Sequence, residues 1–292
     1  MSWAQGATIL RMKTIITLWV ALAALASAEL AQARHEPVRE APGSDRQVCD
    51  VAAVTRALAK PLKLTFPNGQ DSGGLLDLVC MPHPEHQHLT IVALFHEIRD
   101  DKGASLADQT GFVAAVIDAK RGTLKGLYRE TLDINPGIRI TETSLSIDPA
   151  RYELASGLRA FGVRMDIGHS PKCADGGSSD FLTLLVPNGP ELRPVLKRQP
   201  MHVWSVAKWN LAEDIGACAM DTVNEAHLAM AVGPSSHHGW RDLVVTARMR
   251  TKVLDDAPGP WRSRNKALTT LQYDGEHYPA RLGSLTTKLL KP

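Results

Sequence analysis

From Pro61 towards the C-terminus the apolar residues recur with a period of two, in short runs set apart by Gly, Pro, Asn or Asp. Successive side chains of a strand point to opposite faces, so this period belongs to half-buried strands and leaves little room for long helices. LRAFGVRMDI is the cleanest example: Phe161, Val163, Met165 and Ile167 fall on one face, Arg164 and Asp166 on the other. Similar runs include LLDLVCM, LTIVALFHEIR, GFVAAVIDA, TLKGLYRETL, IRITETSLSI, FLTLLV, LRPVLK, HVWSVAKWN, AHLAMAVG, DLVVTARMRTKV and KALTTLQYD. The first alternation, Leu62, Leu64 and Phe66 against Lys63 and Thr65, predicts a strand directly after Pro61. AKRGT at 119–123, PNGPE at 187–191 and the Asp274-Gly275 pair carry the residues that tight reversals demand. The expected fold is mainly β: an antiparallel β-sandwich or barrel-like sheet, with a small propeller as the alternative.

One helix precedes the strands. In DRQVCDVAAVTRALAK the positions Val48, Val51, Ala52, Ala53 and Leu58 recur near helical spacing. Ser44 or Asp45 is the expected cap and Pro61 the expected end, which places Cys49 on the helix.

The N-terminal segment addresses the compartment. Lys13 is followed by the apolar TIITLWVALAALA and by the small-residue sites Ala26-Ser27-Ala28 and Ala31-Gln32-Ala33, the pattern of a secretory signal peptide cleaved after Ala28 or Ala33. Residues 1–33 are therefore expected to be a leader, 34–44 a polar, proline-broken, flexible lead-in, and 45–292 a mainly-β domain with room for two sub-domains. The apolar stretch is shorter than a bilayer span, so no transmembrane segment is expected in the mature chain, and a periplasmic or secreted location follows. In an oxidising compartment Cys49, Cys80, Cys173 and Cys218 form an even set. Of the three possible pairings, the local one joins Cys49 to Cys80 and Cys173 to Cys218.

With 33 basic and 31 acidic residues the chain carries no field for a polyanion, and nucleic acid is not an expected partner. No C-x-x-C, G-x-S-x-G, Walker or G-x-G-x-x-G motif is present. Asp71-Ser72-Gly73-Gly74 resembles the nucleophile motif of chymotrypsin-like serine proteases over four residues, but the glycine before it and the proline after it are replaced by Gln70 and Leu75. The histidine and aspartate that should precede the serine also have almost no chain to occupy.

Two histidine-rich stretches remain. His83, His86 and His88 follow Cys80 in CMPHPEHQH, offering an H-x-x-H-x-H set to zinc or copper beside Glu85 and Glu97. Pro82 and Pro84 equally suit a polar loop ahead of a buried strand. His237 and His238 precede Trp240 in PSSHHGW, a turn with an aromatic that suits a contact surface, and Trp204 and Trp209, an odd number of steps apart, are expected on opposite faces with one in the core. The expectation is an exported, disulfide-stabilised protein without catalytic machinery that acts by binding, as an inhibitor or sequestering protein for another envelope protein. The alternative is a metal-binding protein or metal-dependent hydrolase built on the 83–88 loop, with zinc or copper as cofactor.

Overall fold

The computed structural model describes residues 49–64, 74–169, 173–210, 219–253, 259, 262–263 and 268–280. The expected leader, the lead-in, the Asp71-Ser72-Gly73 stretch, Cys218 and Trp261 lie outside these residues. Among the described residues the fold is mostly β with one helix, α1 (Val51–Leu62).

Eight strands form a nearly closed, barrel-like sheet: β1 (Leu75–Pro82), β2 (Leu89–Arg99), β3 (Ser105–Asp118), β4 (Thr123–Asp133), β5 (Leu145–Ala155), β6 (Leu158–Asp166), β8 (Asp180–Asn188) and β9 (Glu191–Pro200). Their order is β1-β2-β3-β4-β9-β8-β6-β5, antiparallel throughout except for the parallel contact of β4 with β9 at Leu127 and Glu191. The second sheet, a half-barrel, holds the short β7 (Gly176–Ser178), β10 (His202–Asn210), β11 (Ala219–His237), β12 (Trp240–Val253), β13 (Arg262–Ser263) and β14 (Thr269–Leu271).

Three apolar layers explain the sequence pattern. Inside the barrel lie Ile91, Ala93 and Phe95 of β2, Phe112, Ala114 and Val116 of β3, and Phe161, Val163 and Met165 of β6. The alternate residues Val92, Leu94, Val113, Ala115 and Ile117 face outward beneath Val54, Ala57 and Leu58 of α1. Both faces of β2 and β3 are thus covered, which is why LTIVALF and FVAAVI are uninterrupted apolar runs. On the other side, Leu182, Leu184 and Val186 of β8 turn outward against Val203, Ala226, Leu228, Leu243 and Val245 of the second sheet.

The helix begins later than its sequence suggests. Asp50 is the cap, its side chain accepting from the Ala53 amide at 2.9 Å, so Cys49 sits just before the helix instead of on it. Pro61 does not end the helix: it lies in the last turn, and Lys63, at φ 54°, closes it with its amide donating to the Ala59 and Lys60 carbonyls. Leu62 therefore belongs to the helix, following Leu58 by one turn, and the first described strand starts at Leu75. Cys49 and Cys80 form a disulfide, with Cα atoms 5.3 Å apart, that fastens the head of α1 to β1. Cys173 is also disulfide-bonded.

The 119–122 and 189–190 reversals close the β3–β4 and β8–β9 hairpins, with Gly122 at φ 62° and Gly189 at φ 61°. IRITETSLSI is not one strand. A turn at 141–144, in which Thr141 N donates to Ser144 Oγ, intervenes before β5. The parity rule also fails for Trp204 and Trp209: β10 shifts register twice between Val206 and Trp209, and both indoles are half-buried, neither in a core.

Candidate functional site

The β1–β2, β3–β4, β5–β6 and β8–β9 connections all fall at one end of the barrel, and there it opens. The mouth encloses about 350 Å³. Its floor is apolar, formed by Leu89, Val116, Leu158, Phe161 and Leu192, and its rim is polar, with His83, Glu85, His86, Lys125 and Arg159. Space is kept by small residues: a Cβ on Gly126 would stand 2.9 Å from Leu192 Cδ2.

The 83–88 loop is therefore part of this rim. Its base is closed by the His83 amide donating to the Leu89 carbonyl at 2.9 Å, and the Leu89 amide donates to the His86 carbonyl at 2.8 Å. The His83 and His86 rings stack with centroids 4.9 Å apart, while His88 stands 6.1 Å from His86. Burial, reinforced by His86, pushes the His83 imidazole below its usual range. Across the mouth Arg159, its side chain 16% exposed, pairs with the more open Glu85 at 3.5 Å.

The second histidine stretch does not line this cavity. His237 Nδ1 donates to Asp242 Oδ1 at 2.8 Å and Ser235 Oγ donates to Asp242 Oδ2 at 2.6 Å, so the buried carboxylate knots the β11–β12 turn. His238 takes φ 49° in the turn itself and is exposed. Trp240 is stacked on Tyr273 at 4.3 Å, nearly parallel, with the Arg193 guanidinium 5.3 Å from its ring centre. One face of the indole that sequence alone assigns to a contact surface is thus occupied by the protein's own residues.

A constellation that sequence reasoning missed lies on the outer face of the second sheet. There β10 and β11 set His202 opposite His227 and Trp204 opposite Glu225. On β12, Arg250 stands opposite Glu225 and Arg248 opposite His227. Val203 and Ala226 between them point into the core, so the period of two puts all of these polar side chains on one side. Ligand atoms of His202, Glu225 and His227 lie within 4.8 Å of one another, the only such trio among the described residues. The His202 and His227 ring centres are 4.5 Å apart. His202 Nδ1 shares a 2.7 Å hydrogen bond with Ser179 Oγ. Its Nε2, shielded from solvent, makes no hydrogen bond and stands 3.6 Å from Glu225 Oε2. Arg250 pairs with the other carboxylate oxygen.

Burial, then the adjacent His202, pushes His227 down to about 4, and burial lowers His202 as well. Burial works against the charge on Glu225, but the Arg250 guanidinium outweighs it and the carboxyl lies below its ordinary value. The only sequence sign of this group is the Glu225-x-His227 spacing on a strand. The register with His202 cannot be read from a linear sequence. Comparison with protein-family models, with curated proteins and with solved structures gives no match for this chain.

Proposed function

We propose that the protein is an exported binding protein that takes a small amphipathic guest, apolar at one end and anionic at the other, into the mouth of its barrel. The supporting observation is the juxtaposition of an apolar floor with Lys125 and the largely shielded Arg159 on the rim. Barrel mouths are common ligand sites, and about 350 Å³ lies at the lower end of the range such pockets occupy. Leu89, Leu158, Phe161 and Leu192 supply the apolar burial that drives entry. The mobile partner in the Glu85–Arg159 pair is Glu85, whose side chain is 51% exposed. A guest carboxylate takes its place on Arg159, exchanging one charge-assisted contact for another while Glu85 turns to water.

Export is supported by the leader-like residues 13–28 and by the Cys49–Cys80 disulfide, which suits an oxidising compartment. No helix among the described residues is long and apolar enough to cross a membrane. The reading keeps the expectation of a protein that acts by binding. It moves the contact from the turn of His237, His238 and Trp240 to the barrel mouth, and the partner from an envelope protein to a small guest.

Calorimetric titration with octanoate and with octylamine tests it. Octanoate binds the wild-type protein and octylamine does not. Arg159→Ala weakens octanoate about tenfold to a hundredfold, the worth of a charge-assisted hydrogen bond, and Leu158→Trp, which fills the mouth, abolishes binding. Equal binding of the two amphiphiles, or octanoate binding untouched by Leu158→Trp, overturns the assignment.

A further inference from the structure

Three features of the outer face of the second sheet stand outside the barrel mouth and its guest. The first is the donor set, two imidazoles and a carboxylate, which is the chemistry that holds zinc, copper(II) or cobalt(II). The second is spacing. Bonds of roughly 2.0–2.1 Å at a tetrahedral ion put neighbouring donor atoms about 3.3 Å apart, and His202 Nε2 already stands 3.6 Å from Glu225 Oε2. The third is the state of His202. Nδ1 is engaged by Ser179 Oγ, and Nε2, closed off from solvent, has no hydrogen-bond partner; in the tautomer with the proton on Nδ1, the Nε2 lone pair faces Glu225.

A buried ring nitrogen left without a hydrogen-bond partner is costly, and an ion bridging its lone pair to Glu225 removes that cost. Ser179 then plays the part of the outer partner that fixes tautomer and ring orientation at metal-bound histidines. Arg250 does the same for the carboxylate: it occupies Oε1 and leaves Oε2 towards His202. Its positive charge opposes the cation, so the site favours an ion bound through strong nitrogen donors over calcium or magnesium, which depend on several oxygens.

We propose that His202, Glu225 and His227 form a binding site for a divalent transition-metal ion on the outer face of the second sheet. The exposed side of His227 leaves the fourth position of a tetrahedral ion to water or to an incoming ligand. This site is distinct from the 83–88 loop, where the His83 and His86 rings stack and His88 is tilted with its ring centre 6.1 Å from that of His86.

The purified protein with its disulfides formed is titrated with cobalt(II), followed by its visible absorption, and with zinc, followed by calorimetry. Each metal binds in equimolar amount, and cobalt gives the intense visible bands of a tetrahedral centre. Binding survives unchanged in the His83→Ala/His86→Ala/His88→Ala variant. It is lost in His227→Ala, and it weakens at least tenfold in Glu225→Gln. Because the His227 ring reaches solvent, its removal leaves the metal-free melting temperature close to wild type. Zinc raises the melting temperature of the wild type and leaves that of His227→Ala where it was. No saturable binding by the folded wild type, binding that persists in His227→Ala, or loss in the loop variant overturns the proposal.

Discussion

His96 and Gly111 face each other across β2 and β3, and a Cβ added to the glycine would stand 2.1 Å from His96 Nε2. No real side chain tolerates that approach, so glycine is required here for space. Gly111→Ala is expected to lower stability by about 1–3 kcal/mol, measured by urea unfolding, and His96→Ala in the same chain should recover most of the loss by vacating the volume. His96 also carries a pH signature. Its Nδ1–H donates to the Glu97 carbonyl at 2.7 Å, and burial lowers its pKa from 6.5. The unfolded chain therefore takes up the proton first as pH falls, so stability is lost below about 6.5 until the depressed folded value is passed. Urea midpoints on either side of that value should show this drop in the wild type and a smaller one in His96→Gln. Neither feature is legible in sequence: the glycine reads as a turn residue or strand breaker until its cross-strand neighbour is known.

At the scale of elements, the alternation of β6 was legible because each of its faces has a distinct fate: Phe161, Val163 and Met165 line the barrel, and Arg164 pairs with Asp148 and Asp180 on the other side. The continuous runs of β2 and β3 mark burial on both faces, but nothing linear says that a helix supplies the outer cover. The local Cys49–Cys80 pairing, one of three allowed, is the link that brings that helix to β1. The helix start is set too early by Val48, which stands three residues before Val51 and extends the apolar spacing, whereas the Asp50 cap is selected by its contact with Ala53. Histidines gather attention by spacing, so the 83–88 loop was conspicuous and His202 with His227 was not; their proximity arises from strand register. The disulfide closes a loop of 31 residues, which in the chain-entropy model is worth about 3–4 kcal/mol. Cys49→Ala/Cys80→Ala should lower the unfolding free energy by about that amount. The loss should appear first as faster amide exchange in α1, since the helix is then held only by its apolar face. A uniform loss of protection across both sheets would instead show that α1 is not an independently opening unit.

For the whole molecule, the question is what closes the eight-stranded sheet, since β1 and β5 are the ends of its strand order and have no ladder between them. Asp77 joins them. Buried on β1, it accepts from its neighbour Leu78 N at 2.8 Å through Oδ1 and, across the seam, from Leu145 N at 2.7 Å through Oδ2. Leu145 is the first residue of β5, so the joint lies away from the mouth, where the hairpins gather. Asp77→Ala removes the carboxylate that accepts from the Leu145 amide across the seam, a loss of about 1–3 kcal/mol. Asp77→Asn keeps one acceptor oxygen for that amide and should cost less. Exchange of the Leu145 amide distinguishes a local seam from general weakening: it should accelerate in Asp77→Ala by more than the amides of β3, which lie at the middle of a continuous ladder. Octanoate affinity should stay near the wild-type value, because the mouth is shaped by the opposite ends of the strands. If Asn and Ala cost the same, or if β3 and Leu145 accelerate together, the carboxylate is not what holds the barrel shut, and closure must come from the apolar packing of Leu145 and Ile147 against Val79.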